Sequence, residues 1–353
     1  MKNPAKVGKN IFLSLLGIGL LFSLFSKFIR PYPDRVGFPL QQIWSQNVKG
    51  DIKAISVTQD GTTIFARTYS FLYAIEPESG AIRWRYIYYF QRFPKPPIAY
   101  KGIVYFADER ALYAVSQSDG KEIWRARRHG SADNVIFVSD KITLLTGMRY
   151  LSAYETETGN FLWQTHVGSI DFDVSIMDDL VFAYGDFGVR SYSVSTGEKL
   201  DNPHPANVSG QVQENEIVHF FADKTAFQYD LRERSVVWRI PMEFYTSSEF
   251  AQHQNTLIAT DGFHIYALDN RNGTAIWTAN LTNPVNPVII DNTVYVMEGF
   301  SRKIFAFDLE TGKIKGVLHA SLPVFLRADR EDMAVAGSLL ILSIKNFVYA
   351  FGP

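Results

Sequence analysis

LYAIEPESGAIRW, residues 72–84, reads as a strand, a tight turn and a second strand. Leu72, Tyr73, Ala74 and Ile75 are apolar and suited to a strand. Pro77, Glu78, Ser79 and Gly80 cluster as turn formers, and the apolar pattern then resumes as far as Trp84. That succession is the signature of a β-hairpin. The unit recurs: anchored on Leu72, its copies start at Leu112, Leu151, Val189, Ala226, Ile265, Ile304 and Val348, with successive spacings of 40, 39, 38, 37, 39, 39 and 44 residues. A supersecondary unit repeated at about this period marks a repeat architecture, which has to be settled before any side chain is given a chemical role.

Each interval holds four strand-like runs. In the second they are residues 97–100, 103–107, 112–115 and 122–125. Eight such units predict an all-β fold, an eight-bladed β-propeller of four-stranded antiparallel blades. Residues 40–47, LQQIWSQN, look like the last strand of a repeat that lacks its beginning, because Trp44 lies 40 residues before Trp84. The tryptophans continue at Trp124, Trp163, Trp238 and Trp277, while the equivalent positions twelve after Val189 and Ile304 hold Asp201 and Gly316. The last anchor, Val348, would need its partner beyond Pro353. The spare N-terminal strand therefore completes the last blade and closes the ring, leaving no sheet edge of the kind a solenoid would have to cap. Blades four and five diverge most, and residues 327–332 read as an insertion in blade eight.

Within the hairpin the pattern is Ala, two on an acid, four further a Gly, and Trp ten after the Ala: Ala74, Glu76, Gly80, Trp84; Ala153, Glu155, Gly159, Trp163; Ala267, Asp269, Gly273, Trp277. Gly120 and Gly312 hold the same turn position in two other copies. A small Ala admits a neighbouring ring, the acid caps the turn, and Gly tolerates the left-handed conformation that a tight turn needs. The indole is a large apolar plate with one N–H donor, suited to bridging blades. Trp44, Trp84, Trp124, Trp163, Trp238 and Trp277 with these glycines are thus expected to dock blade on blade.

This pattern resembles the tryptophan-docking motif of the PQQ-like, quinoprotein-type β-propeller repeat family, and the resemblance covers residues 40–353. It differs from the WD40 pattern, since Trp follows the Gly turn and no Trp-Asp pair closes the unit. The resemblance implies the propeller fold but divides on function. The family includes PQQ-dependent dehydrogenases, which hold PQQ with Ca²⁺ through carboxylate and amide oxygens, and non-catalytic members such as the outer-membrane assembly factor BamB. In organisation this chain is nearest to the latter. The resemblance then implies that interblade loops on one face engage a barrel-assembly partner.

Composition limits the alternatives. Of 353 residues 46% are hydrophobic and 14% aromatic, enough for a large core. A formal net charge of −1 gives no global field for nucleic acid. The chain has no cysteine, which excludes a disulfide framework, a thiolate metal site, a cysteine nucleophile and the lipidated cysteine that tethers BamB. Lys2, Lys6 and Lys9 precede an uncharged apolar run at residues 11–26, a signal for export or anchoring. Sixteen helical residues would span about 24 Å, short of the ~30 Å hydrocarbon core, and snorkelling by Lys27 extends the reach. Leu24 and Phe25 beside Ser26 make a poor cleavage site, so an uncleaved transmembrane signal anchor is expected over residues 1–29, ahead of a cleaved peptide. A linker at 30–39 and the propeller at 40–353 follow. With the lysines inside, the propeller lies on the extracytoplasmic side, periplasmic or cell-surface, although Lys27, Arg30 and Arg35 weaken that orientation.

Chemistry-bearing motifs are sparse. Asp171, Asp173, Asp178 and Asp179 do not match a calcium loop and read as solvated strand and turn residues. The seven histidines are dispersed without metal-ligand spacing. There is no nucleophile elbow, phosphate loop or zincin motif. The sequon at Asn272 lies in the repeat's own turn; those at Asn207 and Asn280 matter only in a eukaryotic secretory pathway. No catalytic, cofactor or metal residue is expected, PQQ and calcium entering only under the dehydrogenase alternative.

The stretch most suggestive of binding is RWRYIYYFQRFPK, residues 83–95, joining blades one and two, with Arg125, Arg127, Arg128 and His129 in the next connection. Arg and Tyr are frequent interface anchors. The candidate partner-binding residues are Arg85, Tyr86, Tyr88, Arg92, Phe93, Arg127 and Arg128. The plainer alternative is that Tyr86, Tyr88 and Phe90 form a strand face covered by the neighbouring blade. The expected function is a non-catalytic, membrane-anchored scaffold binding a barrel-assembly or translocation component. The alternatives are a PQQ-type or other small-ligand oxidoreductase and a membrane-tethered sensor.

Overall fold

Each repeat becomes a sheet because its central strands are apolar on both faces and cannot be left open to water. In blade one the strands are Ala54–Val57, Ile64–Arg67, Phe71–Ile75 and Ile82–Ile87; the second and third are almost wholly buried, and the outermost alternates buried and exposed residues. The computed structural model describes residues 35–353 apart from 90–93, 130–133, 148, 169–171, 186–187, 201–207, 215, 223, 243–249, 300, 302 and 320–330. The chain divides into two units, Met1–Val36 and Gly37–Pro353. Of the first, only the two-residue strand Arg35–Val36 is described. The expected transmembrane helix, residues 1–29, lies outside the described residues.

The second unit is an all-β, eight-bladed propeller whose strands pair antiparallel within each blade. Successive blades run outward from a first strand, and the first strands of blades one and eight are in contact, as are those of seven and eight. Blade eight consists of Glu331–Ala336, Leu339–Ile344, Phe347–Gly352 and, from the start of the propeller, Gln41–Asn47. Gln41 pairs with Gly352 and Asn47 with Phe347, so the N-terminal strand closes the ring. One expectation needs correction. Glu331 and Asp332, read as part of an insertion, begin the first strand of blade eight. In blade four the described residues form three strands and a bridge from Tyr192 to Lys199 at the fourth position.

The hairpin geometry explains the repeat. In each complete copy the small residue lies directly across from the indole, Ala74 from Trp84, Ala153 from Trp163 and Ala267 from Trp277, and the register shifts at that point so the ring swings toward the next blade. Trp44 Nε1 donates to the Pro77 carbonyl at 2.7 Å, and Trp84 to Gln117 at 2.8 Å. Trp124 donates to Thr156, Trp163 to Val194, Trp238 to Asn270 and Trp277 to Leu309, at 2.8–3.2 Å. Each indole also covers the glycine three residues beyond its acceptor. A Cβ at Gly80 would lie 2.6 Å from Trp44, and one at Gly120 2.7 Å from Trp84. Gly80 and Gly120 have φ of +73° and +70°, so conformation and close approach both demand glycine there. Gly197, absent from the sequence pattern, lies in the same way under Trp163.

The two missing tryptophans have their cause in the adjoining blade. Blade five has no glycine in its turn: Arg234, six after Gln228, takes the left-handed conformation with φ +52°. In blade eight no hairpin joins the outer two strands, so there is no turn on which an indole from blade seven could dock. There Gly316 stands across from Ala306, and a Cβ on it would collide with the backbone of Gly37 and Phe38. Phe38 packs edge-on against Tyr295, ring centroids 5.7 Å apart, within the apolar cluster between blades seven and eight. Tryptophan and glycine are thus retained as a pair or lost as a pair. With Arg234 at φ +52°, Arg234→Gly is expected to raise stability by about 0.5–1 kcal/mol through relief of left-handed strain, read as a higher urea midpoint.

Candidate docking cleft

The outer strand Ile82–Ile87 turns alternate side chains to opposite sides, as any strand must. Trp84, Tyr86 and then Tyr88 face blade two and pack with Phe106 and Tyr113. Tyr86 and Tyr88 have ring centroids 5.6 and 5.5 Å from Phe106. Arg85 faces the other way, its guanidinium 5.2 Å from the Phe71 ring centroid. Tyr86 and Tyr88 are therefore covered in part by the neighbouring blade, and they also border open space. Tyr86, Tyr88, Tyr89, Tyr113, Arg110, Arg125 and Arg127, with Ile87 and Ala111, line a cleft of about 580 Å³ between blades one and two.

A buried carboxylate organises one wall. Asp108 follows the second strand of blade two, Ile103–Ala107, and is fully buried. Its Oδ1 accepts from the backbone N–H groups of Arg110 at 2.7 Å and Ala111 at 2.8 Å; its Oδ2 accepts from the Tyr89 N–H at 2.9 Å and the Tyr113 hydroxyl at 2.6 Å. All four donors belong to cleft residues. The Arg110 guanidinium is 3.4 Å from the Tyr89 ring centroid, so both halves of this cation–π pair are held by the same carboxylate. Asp261 forms the corresponding turn in blade six, bonding Phe263, His264 and Tyr266.

The opposite wall is tied by Arg67, only 1% exposed at the end of a blade-one strand. It donates from Nε to the Tyr88 hydroxyl at 3.1 Å, from Nη1 to the Lys95 carbonyl at 2.9 Å and from Nη2 to the Ala107 carbonyl. The guanidinium also lies 4.9 and 5.3 Å from the rings of Tyr88 and Phe106. The Tyr88 hydroxyl donates to the Thr68 carbonyl, and Tyr86 donates to Glu122, which sits 3.6 Å from Arg125. Burial, reinforced at Tyr86 by Glu122 and at Tyr113 by Asp108, raises both phenols above their ordinary range, and burial likewise raises Tyr88. They remain neutral donors at any physiological pH.

The sequence-derived candidates thus separate. Tyr86, Tyr88 and Arg127 come together in the cleft; Arg85 lies on the other face of its strand; Arg128 turns inward to the Asp108 carbonyl. Arg92 and Phe93 lie outside the described residues. Arg67, Asp108 and Arg110 were not singled out by sequence, although the spacing Asp108 to Tyr113, repeated at Asp261 to Tyr266, carried a signal. Among the described residues no group of three or more acidic or histidine side chains is arranged to hold a metal ion. Asp178 and Asp179 form the two-residue turn between Met177 and Leu180.

The family model described as outer membrane protein assembly factor BamB matches residues 41–240, 200 of the 353 positions. The chain belongs to the PQQ-like β-propeller family. Among solved structures, this PQQ-like propeller is similar to BamB from Moraxella catarrhalis, with a TM-score of 0.69, 13% identity and coverage of 89% of this chain and 100% of that one. It is also similar to the quinohemoprotein alcohol dehydrogenase ADHIIG from Pseudomonas putida HK5, with a TM-score of 0.68, 11% identity and coverage of 89% and 76%. At these identities the likeness is one of fold. A tetrathionate hydrolase from Acidithiobacillus ferrooxidans is 22% identical, the match covering 69% of this chain and 47% of that protein. The chain thus spans about half the length of that curated relative.

Proposed function

We propose that this PQQ-like propeller is a non-catalytic scaffold, anchored by its N-terminal segment on the extracytoplasmic side of a membrane, that holds a protein partner in the manner of BamB. The observation that carries the reading is the cleft between blades one and two, where neutral tyrosines and three arginines are gathered, with Tyr89, Tyr113 and Arg110 held by Asp108 and Tyr88 by Arg67. Tyr and Arg supply wide contact area with specific hydrogen bonding, the composition of interface anchors. The partner class is a barrel-assembly or translocation component. Chemical cross-linking of membranes, followed by purification of the full chain, is expected to recover such a component.

A second reading is a small-ligand enzyme, favoured by the tetrathionate hydrolase relative and the alcohol dehydrogenase neighbour. Purified protein incubated with PQQ and Ca²⁺, or with tetrathionate, is expected to show neither a thermal shift nor turnover. Saturable binding with turnover would replace the scaffold by the enzyme.

A further inference from the structure

We infer that the cleft between blades one and two receives an acidic segment of the partner protein, its carboxylates on Arg110 and Arg127 and its apolar side chains against the tyrosines. This rests on the scaffold reading and adds the chemistry of the partner. The first support is the charge of the lining. Arg110, Arg125 and Arg127 border the cleft, and among the described residues no acid does. Arg125 has Glu122 beside it, whereas neither Arg110 nor Arg127 has a carboxylate partner among the described residues. Two of the acids near the lining are already engaged: Asp108 accepts four hydrogen bonds, and Glu122 takes the Tyr86 hydroxyl next to Arg125. Two cations are left for an incoming anion, and a guanidinium can grip a carboxylate through two parallel hydrogen bonds.

The second support is preorganisation. Arg110 is stacked on Tyr89, and the backbone of each is bonded to Asp108. Less side-chain freedom is lost on binding when the anchor is already held. The third is the apolar component. Tyr89 is 45% and Ile87 63% exposed at the rim, while Tyr86 and Tyr88 form the floor. A bare inorganic anion would leave these surfaces uncovered, whereas a peptide with apolar residues between its carboxylates would cover them. Asp108 acts as a positioning residue through Tyr89 and Arg110.

The test uses the full chain and a fluorescein-labelled pentapeptide alternating glutamate with leucine, followed by fluorescence anisotropy. Saturable binding that weakens with added salt is expected. Arg110→Gln and Arg127→Gln should each weaken it about tenfold, while Arg85→Gln, on the far side of the strand, should leave it unchanged. The same peptide with lysine for glutamate should not bind. Equal binding of the two peptides, unaltered affinity in both cleft variants, or displacement by millimolar sulfate that sodium chloride at equal ionic strength does not match would overturn the assignment. The scaffold reading is scored separately, by the cross-linked partner: one retained by both cleft variants overturns the acidic-segment inference and leaves the scaffold standing, whereas turnover with PQQ or tetrathionate removes both.

Discussion

Trp84→Ala is expected to lower the free energy of unfolding by about 3–5 kcal/mol, the usual cost of deleting a large buried aromatic side chain. Equilibrium urea unfolding followed by circular dichroism would measure it. Trp84 is 8% exposed and packs with Phe65, Tyr88, Phe106 and Tyr113, so the cavity would open at the joint between blades one and two. Its N–H bond to the Gln117 carbonyl would also go, leaving that acceptor without its donor. Trp84→Phe, which keeps much of the plate and loses the donor, should fall between wild type and Trp84→Ala. Gly120→Ala should be costly alone, because a Cβ would lie 2.7 Å from the indole and the backbone is left-handed. Combined with Trp84→Ala, the collision disappears and only the backbone strain is left. The two changes should therefore cost clearly less together than the sum of their separate effects. Strict additivity would show that the ring and the glycine do not act as a pair.

That pairing explains why the fold was legible in sequence. An indole and the glycine it covers lie at fixed offsets inside a local hairpin, so the chemistry of blade docking is written into one short motif and repeated around the ring. What sequence could not supply was the reason for each gap. Asp201 and Gly316 marked lost rings, but the causes lie in another blade: in blade five a turn carrying Arg234 in place of glycine, and in blade eight the lack of an outer hairpin, with Gly37 and Phe38 laid over Gly316 instead. The cleft was legible by half for a similar reason. Residues 83–95 stood out by composition, and composition does not say which side of a strand a residue faces. Alternation sends Arg85 to Phe71 and Tyr86 toward blade two. Asp108 and Arg110 come from a different hairpin, about twenty residues on, and only ring geometry brings them to Tyr89.

Arg67→Met tests the other wall of the cleft and is expected to cost about 3 kcal/mol or more, since buried acceptors would lose a charged donor without access to water. Among the described residues Arg67 has no carboxylate hydrogen-bond partner. Its charge is met by the carbonyls of Lys95 and Ala107, the Tyr88 hydroxyl and two aromatic faces. A planar fork can reach three acceptors on different segments at once; an ammonium group is a point charge that holds its water more tightly. Arg67→Lys should therefore recover little of the lost stability, and full recovery would show that charge alone suffices. Tyr88 and Lys95 are both held by this guanidinium, so their amide hydrogens should exchange faster in Arg67→Met than in the unaltered protein. Because Tyr88 forms part of the cleft floor, the same variant should weaken binding of the acidic pentapeptide while Arg110 and Arg127 remain in place. Loss of stability with undiminished peptide affinity would confine Arg67 to joining the blades and detach it from the cleft.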